Sequence, residues 1–197
     1  MKAYKLPKRT VKEYLEQEVE TGMKHEYHDG KIYALSGGSI NHGLLCGNIY
    51  AELRKNLGGE GSTCKALTSE IKLHIESMNS YVYPDAMVVC GAFETAEDHQ
   101  EAITNPTLIV EVLSKSTAEY DRGDKFYFYR QIPSLQEYVM IEQKRHVVEV
   151  YFKKEKNDLW KITRYTDWDQ NIQLQSIGIE ISMRDLYFDV KIEDLDA

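Results

Sequence analysis

The chain has 197 residues, with 24 Lys and Arg against 32 Asp and Glu for a net charge of −8; 42% of positions are hydrophobic and 28% charged. A chain of this length buries roughly 70% of its unfolded surface without a disulfide or metal staple, and the composition excludes collagenous, coiled-coil and wholly disordered proteins. The acidic balance also excludes a broadly basic nucleic-acid surface, so any contact of that kind is local.

Cys46, Cys64 and Cys90 lie far apart without a C-x-x-C, and the odd count fits reduced thiols. The opening residues have no apolar signal-peptide core and no run approaches the ~20 apolar residues of a membrane span, so a cytoplasmic protein with no membrane partner is expected. Residues 1–12 hold five basic and no acidic side chains and read as a flexible arm before a helix over 11–20. Asp29-Gly30 suits a type I′ turn and predicts a hairpin. After the Ser36-Gly-Gly-Ser loop, Asn41 is placed as the cap of a helix whose Leu45, Ile49, Leu53 and Leu57 form one apolar face. Alternation predicts a strand over 68–75 with Glu70 turned outward, and the apolar runs after Asp85 and Pro106 predict interior strands. Ser116 to Glu119 has capping-box spacing and opens a helix to about Gln131, stopped by Pro133; strands fill most of the rest. The acidic tail from Glu180 reads as solvated. With no repeat or linker, residues 1–197 read as one domain of α+β or α/β class with a mixed central sheet.

Glu111, inside Leu108-Ile-Val-Glu-Val-Leu113, needs a physical explanation, because a carboxylate in an interior strand is expensive unless paired, protonated or metal-bound. Asp85 heads another apolar strand, so adjacent strands would bring both acids to one end of a sheet. Two oxygen donors suit Mg²⁺ or Mn²⁺ better than zinc. Separately, Asp85 would serve as a turn cap and Glu111 as the partner of a buried base. Pro-Asp followed 26 residues later by an acid has the form of a PD-(D/E)XK nuclease site.

The run Tyr83-Pro-Asp-Ala-Met-Val-Val-Cys, then Pro106 to Ser114, Tyr120-Asp-Arg-Gly-Asp-Lys125 and Ile132-Pro-Ser-Leu-Gln-Glu-Tyr resembles the Uma-two family of restriction-endonuclease-like proteins, as do Glu26-Tyr-His-Asp-Gly and His42 upstream. The resemblance implies a restriction-endonuclease-like mixed central sheet flanked by helices, with additional C-terminal strands. It implies that Asp85 and Glu111 hold Mg²⁺ or Mn²⁺. The superfamily's lysine two residues beyond the acid is here Leu113; the family pattern transfers that role to Lys125, with Lys115 ranked second. Lys125 also stands four residues after Asp121, the spacing of an ordinary helix salt bridge. Glu70 is an auxiliary acid by the same resemblance, or else a solvent-facing glutamate, and His42 is a candidate phosphate contact or a polar cap-region histidine. His25-Glu-Tyr-His28 is not H-E-x-x-H, and the Ser-Gly-Gly-Ser loop lacks a P-loop lysine.

Residues 142–164 carry seven basic against four acidic side chains and form the candidate phosphate surface. The expected function is a divalent-metal-dependent endonuclease hydrolysing DNA, with a homodimer implied by the resemblance. The rivals are a catalytically inert nucleic-acid-binding or protein-interaction module, which the missing Glu-x-Lys lysine favours, and a hydrolase of a small phosphoester.

Overall fold

Turn and cap chemistry sets the N-terminal third of the chain in this computed structural model, which describes residues 8–35, 37–59, 61–114, 118–154 and 159–192. Thr10 and Glu13 close a reciprocal capping box on α1 (Val11–Thr21), and Gly22 ends it in the left-handed conformation. Asp29 and Gly30 both take positive φ, as a type I′ turn requires, between β1 (His25–His28) and β2 (Lys31–Ala34). Ser39 rather than Asn41 caps α2 (Ile40–Leu57): its hydroxyl accepts the His42 N–H, while Asn41 donates to the Gln143 and Lys191 carbonyls.

The strand expected over 68–75 is two strands. β3 (Cys64–Thr68) and β4 (Lys72–Ile75) join different sheets, so the chain turns between them and the Ile71 N–H closes on the Thr68 carbonyl. β5 (Ser80–Val82), β6 (Ala86–Cys90), β7 (Ala102–Ile103) and β8 (Leu108–Leu113) follow. The next helix has three pieces: α3 (Ala118–Tyr120), a π-helical turn (Asp121–Lys125) and α4 (Phe126–Tyr129). The capping box expected at Ser116 lies outside the described residues. β9 (Glu137–Glu142), β10 (Val148–Lys153), β11 (Trp160–Tyr165), β12 (Asn171–Leu174), β13 (Ile179–Ser182) and α5 (Met183–Leu186) complete the order.

The protein is α+β with mixed sheets. A six-stranded sheet runs β11-β10-β9-β8-β6-β3, antiparallel except for β8 beside β9, whose parallel pairing is made possible by the helical crossover between them. A smaller sheet runs β2-β1-β5-β4-β7, and β12 pairs with β13. Both faces of the large sheet are covered, which is why β6 and β8 read as continuous apolar runs. On one face Val88, Val110 and Val112 pack with Leu45, Ile49 and Leu53 of α2; on the other Met87, Ile109 and Leu113 pack with Tyr129, Ile132 and Leu135. The tail is not simply solvated, since Met183, Leu186 and Tyr187 are buried in the first of these cores.

Antiparallel pairing sets Cys64 directly opposite Cys90, and the two form a disulfide, leaving Cys46 as the free thiol. The expectation of three reduced thiols therefore fails for that pair. Its cause is register: spacing in sequence gave no sign that two strands from a 26-residue excursion would meet at those positions. No helix among the described residues is long and apolar enough to cross a membrane.

Glu137 is fully buried at the start of β9 and accepts hydrogen bonds from the Gln175 and Ser176 N–H groups and the Ser176 hydroxyl. It thereby ties the turn between β12 and β13 to the large sheet. Glu137→Ala should destabilise the protein by about 2–4 kcal/mol in urea unfolding, because a fully buried side chain is lost together with all three of its hydrogen bonds, whereas Ser176→Ala should cost about 1 kcal/mol. Equal, small losses in both variants would show that the carboxylate is not the anchor.

Candidate active site at the junction of the two sheets

Strand register brings the two sequence-predicted acids together. Ala86 pairs with Val110 and Met87 with Ile109, so extending the ladder by one residue sets Asp85 across from Glu111. The chain bends at Asp85 after Tyr83-Pro84, where it passes from the small sheet to the large one. There Asp85 Oδ2 accepts the Val112 N–H at 2.7 Å. Alternation along β8 turns Glu111 to the side of Ile109 and Leu113, facing the helical crossover.

Lys125 comes back to Glu111 from that crossover. Its Nζ lies 2.8 Å from Glu111 Oε1, 3.6 Å from Glu26 Oε1 and 3.7 Å from Asp121 Oδ1, and the lysine is only 7% exposed. Tyr129, one turn further on, donates its hydroxyl to Glu111 Oε1 at 2.6 Å. Asp121, Lys125 and Tyr129 are all buried at four-residue intervals, while Gly123 and Asp124 face solvent. The crossover is thus π-helical where it crosses the carboxylates, a geometry common at functional positions.

The electrostatics follow from one ammonium shared by three acids. Burial opposes the Lys125 charge, but Glu111, Glu26 and Asp121 outweigh it and hold the amine well above its usual value. Burial is the largest influence on Glu111; with the Asp85 and Asp121 charges it overcomes the pull of Lys125 and pushes this carboxyl up to about 8. Burial also works against the Glu26 charge, yet Lys125 and His28 prevail and its carboxyl stays below the ordinary value. Burial and the Glu111 charge keep the Tyr129 hydroxyl protonated, as a donor to Glu111 must be.

His42 stands in the first turn of α2 with Nε2 3.2 Å from Asp85 Oδ1, and this hydrogen bond lifts the imidazole above its usual pKa against the effect of burial. It therefore joins the acid rather than sitting as an isolated cap-region residue. Glu70 does not join them: it is in the turn between β3 and β4, three-quarters exposed and paired with Lys24 at 2.6 Å. The outward-facing strand position assigned to it does not exist, because the strand ends at Thr68. Lys115 lies outside the described residues.

Glu26, Tyr129, His28 and Cys46 were given no role in the site by sequence reasoning. Glu26 sits in the β1 hairpin, whose Glu-Tyr-His-Asp-Gly motif entered only as part of a likeness. His28 Nε2 is 3.4 Å from Glu26 Oε2 and 3.2 Å from the Tyr120 hydroxyl. The i, i+4 spacing of Lys125 and Tyr129 was a usable signal, hidden among four successive aromatic residues from Phe126 to Tyr129.

Glu26, His28, His42, Asp85, Glu111 and Lys125 line an open cleft of about 2950 Å³ whose rim includes Lys8, Arg9, Lys24, Lys31, Lys144 and Arg145. Of the basic stretch expected over 142–164, only Lys144 and Arg145 reach it among the described residues. Arg145 pairs with Glu142, and Arg164 stands near Glu149.

Residues 11–184 match the profile of the Uma2 family, described as "Putative restriction endonuclease". The chain belongs to the Uma2 family. Two Synechocystis sp. proteins are similar to it over nearly their whole length: "Uncharacterized protein slr1290", 36% identical over 92% of each chain, and "Uncharacterized protein sll1609", 36% identical over 86% of this chain and 94% of its own. The crystal structure of "a putative nuclease belonging to DUF820" from Anabaena variabilis superposes with a TM-score of 0.68, covering 88% of this chain and 96% of that one at 15% identity. The last likeness is one of fold alone: this Uma2 chain shares the fold of that solved protein.

Removing the charge of Lys125 takes away the cation that Glu26, Glu111 and Asp121 share. Lys125→Met should destabilise the protein by about 3–5 kcal/mol near neutral pH, and the deficit should shrink as the pH falls and the acids protonate. Urea unfolding of this variant and the wild type at pH 5 and pH 8 checks this. An unchanged midpoint at pH 8 would contradict the shared ion pair.

Proposed function

We propose that this protein is a divalent-metal-dependent endonuclease that hydrolyses DNA phosphodiester bonds, with Asp85 and Glu111 as ligands of Mg²⁺ or Mn²⁺ and Lys125 as the accompanying base-positioning or charge-stabilising group. The observation that carries the reading is the convergence of three motif residues from three elements, with Lys125 Nζ 2.8 Å from Glu111 and Asp85 next to Glu111 in register. The donor set fits a hard cation. Lys125 and Tyr129 both contact Glu111 Oε1, so a cation would be taken by Oε2, and the mutual repulsion of Asp85 and Glu111 is what a shared positive ion relieves.

A bound divalent ion supplies polarisation of the scissile phosphate and a lowered pKa for an attacking water. The protein's own groups do the rest. The Val112 N–H and His42 fix the Asp85 carboxylate, and the Tyr129 hydroxyl fixes Glu111. The Lys125 ammonium, held charged by its three acids, is available to orient water or offset charge on the phosphate. Lys144 and Arg145 on the cleft rim, and Lys8 and Arg9 across from the hairpin turn, offer the local positive charge that an acidic protein needs to hold a polyanion. A homodimer, presenting two such clefts, belongs to the same proposal for cleavage of both strands.

A second reading is favoured by one feature: Lys125 is already neutralised by three carboxylates, as in a structural ion cluster. In that case the fold is a catalytically inert nucleic-acid-binding or protein-interaction module.

Plasmid nicking with Mg²⁺ or Mn²⁺ separates the two. Asp85→Asn and Glu111→Gln keep hydrogen-bond acceptors while removing charge, so both should fold, lose Mn²⁺ binding in calorimetry and cut at least ~100-fold more slowly. A folded wild type that binds no Mn²⁺ and never cuts would establish the inert reading. DNA affinity should also fall steeply with salt, and neutralising Lys144 and Arg145 together should reduce the log–log salt slope by about 2. An unchanged slope would put the DNA elsewhere.

A further inference from the structure

The face of α2 turned toward Asp85 carries chemistry that an all-oxygen metal site does not use. His42 and Cys46 are four residues apart and so share a helix face. One donor atom from each, together with an Asp85 oxygen, forms a set in which all three lie within 4.8 Å of one another. His42 presents Nε2 to Asp85 Oδ1 at 3.2 Å, the nitrogen that an ion shared with that carboxylate would take. Gly38 backs the imidazole so closely that a Cβ there would come within 2.5 Å of its Cδ2. Cys64 and Cys90 are consumed in their disulfide, so Cys46 is the one thiol of the chain's three cysteines still able to ligate.

Imidazole, thiolate and carboxylate together select a borderline-soft ion over Mg²⁺. Zn²⁺ bond lengths of about 2.0–2.3 Å in a tetrahedron require donors roughly 3.3–3.8 Å apart. His42 Nε2 and Asp85 Oδ1, at 3.2 Å, are already about that close, and the widest separation needs to contract by about one ångström, which side-chain rotation can supply.

We propose that His42, Cys46 and Asp85 form a second cation site, suited to ions of the Zn²⁺ type, and that an ion held there draws Asp85 away from Glu111. Binding breaks the Cys46 S–H bond, forms a sulfur–metal bond and releases the proton to solvent, with no change in oxidation state. Water completes the coordination. The antagonism rests on the nuclease reading, whereas the binding does not.

Co²⁺ tests the binding, because a thiolate ligand gives it a near-ultraviolet charge-transfer band independent of any enzymatic activity. One equivalent added to the oxidised wild type should produce that band together with visible bands of tetrahedral strength. Cys46→Ser should abolish the first, and His42→Gln should weaken affinity at least tenfold. Absence of the band from folded wild type, or its persistence in Cys46→Ser, overturns the site. Calorimetric Mn²⁺ titration then tests the antagonism: one equivalent of Zn²⁺ should weaken Mn²⁺ binding at least tenfold in wild type and leave Cys46→Ser unaffected. Undiminished Mn²⁺ binding in zinc-loaded wild type overturns the competition. A wild type that gives the cobalt band but binds no Mn²⁺ even without zinc overturns the nuclease site, and the shared-ligand antagonism with it, while the softer site stands.

Discussion

The burial of one ammonium among three carboxylates is the constraint around which the molecule is arranged. Lys125 reaches from the crossover helix, Glu26 from the small sheet and Glu111 from the centre of the large one, so a single charge cluster joins three parts of the fold. Desolvating such a group is expensive, and removing one member leaves the others uncompensated in a low-dielectric interior. The surrounding packing therefore has to hold them at contact distance. Tyr129 does so for Glu111 and His28 for Glu26, and apolar packing on both faces of β8 holds the strand that carries Glu111 in place.

Much of this was legible in the sequence, for physical reasons that differ from residue to residue. Glu111 stood out because a charge in an apolar six-residue strand has few explanations, and the four-residue recurrence from Leu45 to Leu57 could only be a buried helix face. Lys125 was reachable through motif likeness, and its i, i+4 relation to Asp121 was read as well; the same lysine contacts Asp121 and Glu111. Turn chemistry placed the Asp29-Gly30 hairpin without any tertiary information.

The misses share a cause, which is that partner choice across a sheet is not written locally. Glu70 looked like a strand residue because apolar alternation runs unbroken through Ile71 and Leu73, yet the chain changes sheets there. Cys64 and Cys90 became neighbours only through the β3 and β6 register. Glu26 gave no signal of burial because its hairpin is short and polar, and its environment is supplied by residues about a hundred positions away. Ser39 and Asn41 are both good cap residues, and the choice between them was made by Gln143 and Lys191, which capture the asparagine.

The π-helical turn has a geometric consequence. A π turn accommodates one more residue than an α turn, so α3 and α4 are out of angular phase by about a hundred degrees compared with a continuous α-helix. The aromatic face of α4 and the short α3 can therefore each take the orientation its neighbours demand, with the mismatch absorbed between Asp121 and Lys125. Gly123, exposed and with open space around its Cα, lies within that slack. In this helix the number of residues, and not only their chemistry, is a functional variable: a chain one residue shorter could keep every motif side chain and still aim Asp121 and Lys125 in incompatible directions.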